Sequence, residues 1–95
     1  MKNNIKIRVS NKCGMSKIAV QEMREYFARY ICSRFKEENK LCRIEAREEF
    51  EVTVEFVAYL QVGNTFYTFE GMYDKIWHDI EVIKSEVTGV QTAMF

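Results

Sequence analysis

One histidine and three cysteines carry whatever nucleophilic, acid–base or metal chemistry this 95-residue chain can perform. A catalytic histidine needs a nucleophile or an acid held against it, and no such partner is spaced around His78, which stands next to Trp77. Structural zinc needs four ligands, usually supplied as close pairs. Cys13, Cys32 and Cys42 are separated by 19 and 10 residues and form no pair of that kind. An odd number of widely spaced cysteines also fits reduced thiols better than a disulfide framework. Cys32 has Arg29 three residues before it and Lys36 four after it, so on a helix both cations approach its sulfur and favour the thiolate. An isolated cysteine on a charged helix face is an ordinary occurrence. The expectation is therefore a protein that is not an enzyme, with no cofactor and no metal.

The charges are more informative. The chain has 14 basic and 14 acidic residues, yet residues 1 to 47 hold 12 of the former and 5 of the latter, so the first half carries +7 and the second −7. A basic half can meet phosphate, an acidic half can meet a basic surface, and the two can meet each other. Lys2, Lys6, Arg8, Lys12 and Lys17 all precede the first acid, Glu22, and make a nucleic-acid-binding set. Glu48, Glu49, Glu51 and Glu55, with Glu45 before them, can enter a basic channel as a phosphate mimic does. The internal alternative places Lys6 and Arg8 against Glu51 and Glu55 on one solvated sheet face, where opposite charges on neighbouring strands neutralise each other.

These residues sit on periodic elements. Ile5, Ile7 and Val9 alternate with Lys6 and Arg8 as a strand does. Ser16 predicts an N-cap, followed by a helix to about Asn39 with an apolar stripe of Val20, Met23, Phe27, Tyr30, Ile31 and Phe35. Leu41 to Arg47 is read as a strand. Phe50 to Val62 alternates without a break and predicts a long strand, one expected to twist, bulge or outrun its neighbours. Gly63-Asn64 predicts a two-residue hairpin turn, with Thr65 to Glu70 as the return strand, ended by Gly71. Met72, Tyr73, Ile76, Trp77, Ile80, Ile83 and Val87 predict a second amphipathic helix closed by Gly89, and Val90 to Phe95 a docked apolar tail. The core is expected to comprise Ile7, Val20, Phe27, Ile31, Val52, Val54, Phe56, Ile76, Trp77, Ile80 and Ile83.

The fold class follows: α+β, residues 1–95 forming a single compact domain, with one antiparallel-rich sheet and two helices packed on one face. The order is β-α-β-β-β-α with a short C-terminal strand, or β-α-β-β-α-β, ferredoxin-like, if residues 41–47 are a loop. The latter order suits RNA-recognition domains, but Lys6 stands where their first strand offers an aromatic, and Thr65 to Gly71 lacks their basic, Gly-rich motif. Double-stranded RNA-binding domains need a basic start to the last helix, which Met72-Tyr73-Asp74-Lys75 does not supply.

Hairpin register puts Val57, Tyr59 and Phe66 together on the open sheet face as an apolar patch, a pattern that marks protein interfaces. No apolar run is long enough to cross a membrane and no leader segment is evident, so a cytoplasmic protein is expected. The reading is a small protein-binding module, accessory or inhibitory, that blocks a larger and nucleic-acid-processing partner through Val57, Tyr59, Phe66 and the acids Glu48, Glu49, Glu51 and Glu55. A homodimer through the sheet is the simplest cover for the patch. Weak nucleic-acid binding by the basic half is the alternative.

Overall fold

The computed structural model describes residues 4–36 and 39–90. The element order is β1 (Asn4–Asn11), α1 (Lys17–Arg34), β2 (Asn39–Glu49), β3 (Thr53–Val62), β4 (Thr65–Asp74) and β5 (Asp79–Val90). The five strands lie in one sheet in the order β1-β2-β3-β4-β5. β1 pairs with β2 in parallel, and the remaining pairs are antiparallel. The parallel pair requires a crossover, which α1 supplies.

Local chemistry fixes each junction. The Asn11 side chain closes the β1–α1 turn, accepting from the Met15 N–H at 2.9 Å and donating to the Met15 carbonyl at 2.8 Å. Gly14 takes the positive φ of +79° that this turn requires. Ser16 caps α1, its Oγ accepting from Ala19 N–H at 3.1 Å, as the sequence predicts. The helix ends at Arg34, short of the expected Asn39, because Phe35 turns extended and packs its ring 4.9 Å from Tyr67. At the β3–β4 hairpin Val62 faces Thr65, and Gly63 has φ +59° while Asn64 does not take a positive φ, the pattern of a type II′ turn.

Helix α1 buries Met23, Phe27 and Ile31 against one face of the sheet. Cys42, Ile44 and Ala46 of β2, Val54, Phe56, Ala58, Leu60 and Val62 of β3, and Phe69 and Tyr73 of β4 meet them there. Phe27 is the hub, edge-on to Phe56 at 5.5 Å and to Phe69 at 6.3 Å. Val54, Phe56, Phe27 and Ile31 are core residues as expected, while Ile7 and Val20 are only partly buried at its margin.

The second helix does not form: residues 72–87 belong to β4, a turn and β5. The Asp74 Oδ1 accepts from the N–H groups of Ile76 and Trp77 at 2.8 and 2.9 Å, an arrangement that also caps helices, so the stop comes after it. His78 then adopts a φ of +55°, which a continuing helix excludes. The apolar residues beyond include Ile80, Val82, Ile83 and Val87, β-branched side chains that fit a pleated surface. Consequently Ile76, Trp77 and Ile83, expected in the core, are 61%, 80% and 68% exposed. Val52 is also outside the core, in the β2–β3 turn, because β3 starts at Thr53 and not at Phe50. The ferredoxin-like order is likewise excluded, since residues 41–47 lie within a strand. The expected tail strand, beyond Val90, lies outside the described residues.

β3 does not outrun its neighbours. It is paired from Val54 to Val62 by β2 on one side and along its whole length by β4 on the other. The length mismatch is absorbed by irregularities between Ala46 and Glu48 of β2 and opposite Phe66/Tyr67 and Glu70/Gly71 of β4. The open edges belong to β1 and β5. No helix among the described residues is long and apolar enough to cross a membrane.

Gly71 does not end a strand but lies inside one, and its role is steric. A Cβ there would collide with the Glu81 carbonyl oxygen and lie 3.1 Å from Val82 Cα, at an irregularity where β5 presses close to β4. At Gly89 a Cβ would meet only the Phe66 ring, at 3.7 Å. Gly71→Ala is therefore expected to destabilise the fold by more than about 3 kcal/mol, and Gly89→Ala by less than about 1 kcal/mol, in urea unfolding. Equal effects of the two would show that the β4–β5 register differs from the one described.

Candidate functional site

With α1 on one face, no described element covers the other. Register fixes its rows. The first holds Lys6, Leu41, Gln61, Phe66 and Gly89, the second Arg8, Arg43, Tyr59, Thr68 and Glu86, and the third Ser10, Glu45, Val57, Glu70 and Lys84. The fourth holds Glu48, Glu55, Met72 and Glu81. The expected neutralisation across neighbouring strands is absent, because β2 lies between β1 and β3. Instead like charges are neighbours: Arg8 beside Arg43 at one end, Glu48 opposite Glu55 at the other. The charge division along the sequence has become a division along the strand axis.

The boundary between the two ends is a polar cluster. Glu45 lies 3.8 Å from Arg43 and 3.2 Å from Arg47. Arg47 also donates to the Tyr59 hydroxyl at 3.4 Å, and the Arg43 guanidinium lies 4.9 Å over the Tyr59 ring. The sequence-derived patch is thus not bare. Val57 is 7% exposed, and Tyr59 and Phe66 are half-buried.

At the acidic end, Glu48, Glu49, Glu51 and Glu55 are all exposed, but they do not share one face. The irregularity at Arg47 keeps Glu48 opposite Glu55 on the open face and pairs Glu49 with the core-facing Val54. Glu49 thereby reaches Lys75, whose Nζ lies 2.9 Å from its carboxylate. Glu51 sits in the β2–β3 turn. Lys75 also ties that turn to the β4–β5 turn, donating from its N–H to the Val52 carbonyl and from Nζ to the Phe50 carbonyl, both at 2.8 Å. The two turns together present Phe50, Val52, Ile76 and Trp77, all exposed. Sequence reasoning assigned Val52, Ile76 and Trp77 to the core. The signal for the turn was the Asp74-to-Asp79 spacing, which the helical periodicity of the same residues masks.

At the basic end, a trough of about 580 Å³ crosses the face, lined among others by Lys6, Arg8, Leu41, Arg43, Tyr59 and Phe66. Of the predicted nucleic-acid set, only Lys6 and Arg8 lie in it. Lys12 follows β1 at the opposite end, where its N–H donates to the Ala46 carbonyl, and Lys17 begins α1. Lys2 lies outside the described residues.

The nucleophiles and the histidine do not converge. Cys42 is buried in the core, which pushes its thiol up to about 12, and Cys13 is raised by burial and by the nearby Glu49 carboxylate. His78 lies in the β4–β5 turn. Its Nδ1 is 3.0 Å from the Tyr73 hydroxyl and 3.9 Å from Glu22, and its ring stacks on Tyr26 at 5.3 Å. These contacts fasten the turn to α1. Among the described residues no group of three His, Cys, Asp or Glu is gathered to hold a metal. Comparison with known protein families, curated proteins and solved structures found no match.

The Tyr73 hydroxyl is pushed up to about 12 by burial first and then by Glu22. Both it and Cys42 are raised above their unfolded values of 10.0 and 9.0, so the folded state keeps protons that the unfolded chain releases. Their contribution to stability is complete below about pH 9 and is lost as pH rises through about 12. Urea midpoints should hold up to about pH 9 and then fall, and the phenolate absorbance lost in Tyr73→Phe should be the part that appears near pH 12. Loss of absorbance that appears near pH 10 would contradict the placement of Tyr73.

Proposed function

We propose that this chain is a non-enzymatic protein-binding module whose acidic end docks on a basic surface of a larger partner, in the manner of an accessory or inhibitory protein. The observation that carries this reading is the pairing of Glu48 with Glu55 across β2 and β3, at the same end of the sheet as the turn that exposes Trp77 and Ile76. Directly opposed like charges destabilise the free sheet. A cationic partner removes that repulsion, and the same carboxylates can take positions that phosphates occupy in a nucleic-acid channel. An exposed tryptophan among apolar turn residues supplies what carboxylates lack, an anchor able to fill a pocket and exclude water. Of the apolar patch, Val57 lies in the row behind this margin, while Tyr59 and Phe66 lie toward the other end of the face and take no part in it. A blocking role suits a small binding surface of this kind.

The test uses affinity capture from a nuclease-treated lysate, followed by direct binding to the purified captured protein. Trp77→Ala and the pair Glu48→Lys with Glu55→Lys are each expected to weaken binding by at least about 30-fold. Both alter exposed positions, so unfolding curves should match the wild type. Binding that survives both changes, or capture that requires nucleic acid, would remove the proposal.

A further inference from the structure

The trough at the basic end lies at the other pole of the open face from the acidic turns, and it is explained neither by the core nor by the reading above. Three cations line it, and among the described residues none of its lining groups is a carboxylate. Lys6 and Arg8 are exposed on the edge strand β1 and make no ion pair with any described residue. Arg43 is held flat over Tyr59. Phe66 has Gly89 as its neighbour on β5, so no side chain stands across from it on that strand. Leu41, 53% exposed, adds an apolar floor between Lys6 and Gln61.

We propose that this trough binds single-stranded nucleic acid, with phosphates along Lys6 and Arg8 and bases on Phe66 and on the Arg43 guanidinium that covers the Tyr59 ring. The arrangement separates two functions across the sheet. The phosphate-binding cations lie on β1 and the stacking groups on β2 to β4, and at about 4.8 Å per strand the rings stand roughly 10–15 Å from β1. That is about the reach from a backbone to its bases. The Arg43–Tyr59 stack and Phe66 are diagonal neighbours, about 7–8 Å apart, which suits successive bases of an extended strand. Ring faces are open only to bases that are not already stacked in a duplex, so the site selects single strands. An acidic peptide would use the cations and leave the rings without a role. The acidic end of a second copy is the other macromolecular occupant that the charges admit. This proposal stands independently of the protein-binding reading, which uses the opposite pole.

The experiment is a fluorescence-anisotropy titration of the whole chain with labelled oligothymidylate and oligouridylate of about 15 nucleotides, and with a duplex of equal length, over salt from about 50 to 200 mM. Single strands should bind at least about tenfold more tightly than the duplex. Lys6→Ala with Arg8→Ala should lower the salt slope by about 1.4, since each lost phosphate contact on a single strand removes about 0.7. Phe66→Ala should weaken binding about tenfold and leave the slope unchanged. Phe66→Leu, which preserves apolar packing, should do the same if Phe66→Ala perturbs the fold by circular dichroism. Equal affinity for the duplex overturns the proposal, as does wild-type affinity in Phe66→Leu or no binding at the lowest salt. Self-association that Arg8→Glu abolishes, seen by light scattering without oligonucleotide binding, would assign the trough to a second copy and equally overturn it.

Discussion

The parallel pairing of β1 with β2 is the constraint from which the rest of the molecule follows. Two parallel neighbours cannot be joined by a tight turn, so the intervening chain must cross the sheet, and here it does so as α1. The crossover commits the helix to one face and makes that face the core, with Phe27 packed into Phe56 and Phe69. Every later connection joins antiparallel neighbours by a short turn and places nothing on the other face. Among the described residues, no element covers the other face of the five-stranded sheet.

That surface is organised by register. β1 enters parallel to β2, so Arg8 comes to lie beside Arg43, while the antiparallel return of β3 sets Glu55 against Glu48. Between them Glu45 is shared by Arg43 and Arg47, and this cluster marks the boundary of the two poles. A chain with no net charge thus carries a strong internal separation, basic at the β3–β4 hairpin end and acidic at the end where the β2–β3 and β4–β5 turns meet. Each pole adds a hydrophobic element suited to its charge. Tyr59 and Phe66 line the basic trough, and an exposed indole stands in the acidic turns.

The first two thirds of the fold were legible because their signals do not conflict. Strict alternation in β1 and β3, the Ser16 cap, the stripe through Met23, Phe27 and Ile31, and Gly63 at the hairpin each have one reading. The last third was not, because Tyr73, Ile76, Trp77 and Ile80 satisfy helical spacing while Tyr67, Phe69, Gly71 and Tyr73 satisfy strand spacing through the same region. What turns the chain back is His78, whose positive φ follows the Asp74 turn and lets Asp79 and Ile80 pair with Asp74 and Tyr73. The site suffered accordingly. Glu48, Glu55, Tyr59, Phe66, Lys6 and Arg8 were visible as open-face residues, but Trp77 was hidden in a helix that does not form. Arg43 and Leu41 went unnoticed because their neighbours are set by a parallel register that local sequence does not encode.

The central claim is that one sheet face carries two separate binding poles. Chemical-shift mapping of the amide resonances tests it most directly, with an oligothymidylate and an oligoarginine peptide titrated in turn. The account predicts that the oligonucleotide shifts residues around Lys6, Arg8, Leu41, Arg43, Tyr59 and Phe66, and that the peptide shifts Glu48, Glu51, Glu55 and the turn from Asp74 to Asp79. Shifts confined to α1, or the same residues responding to both ligands, would contradict it.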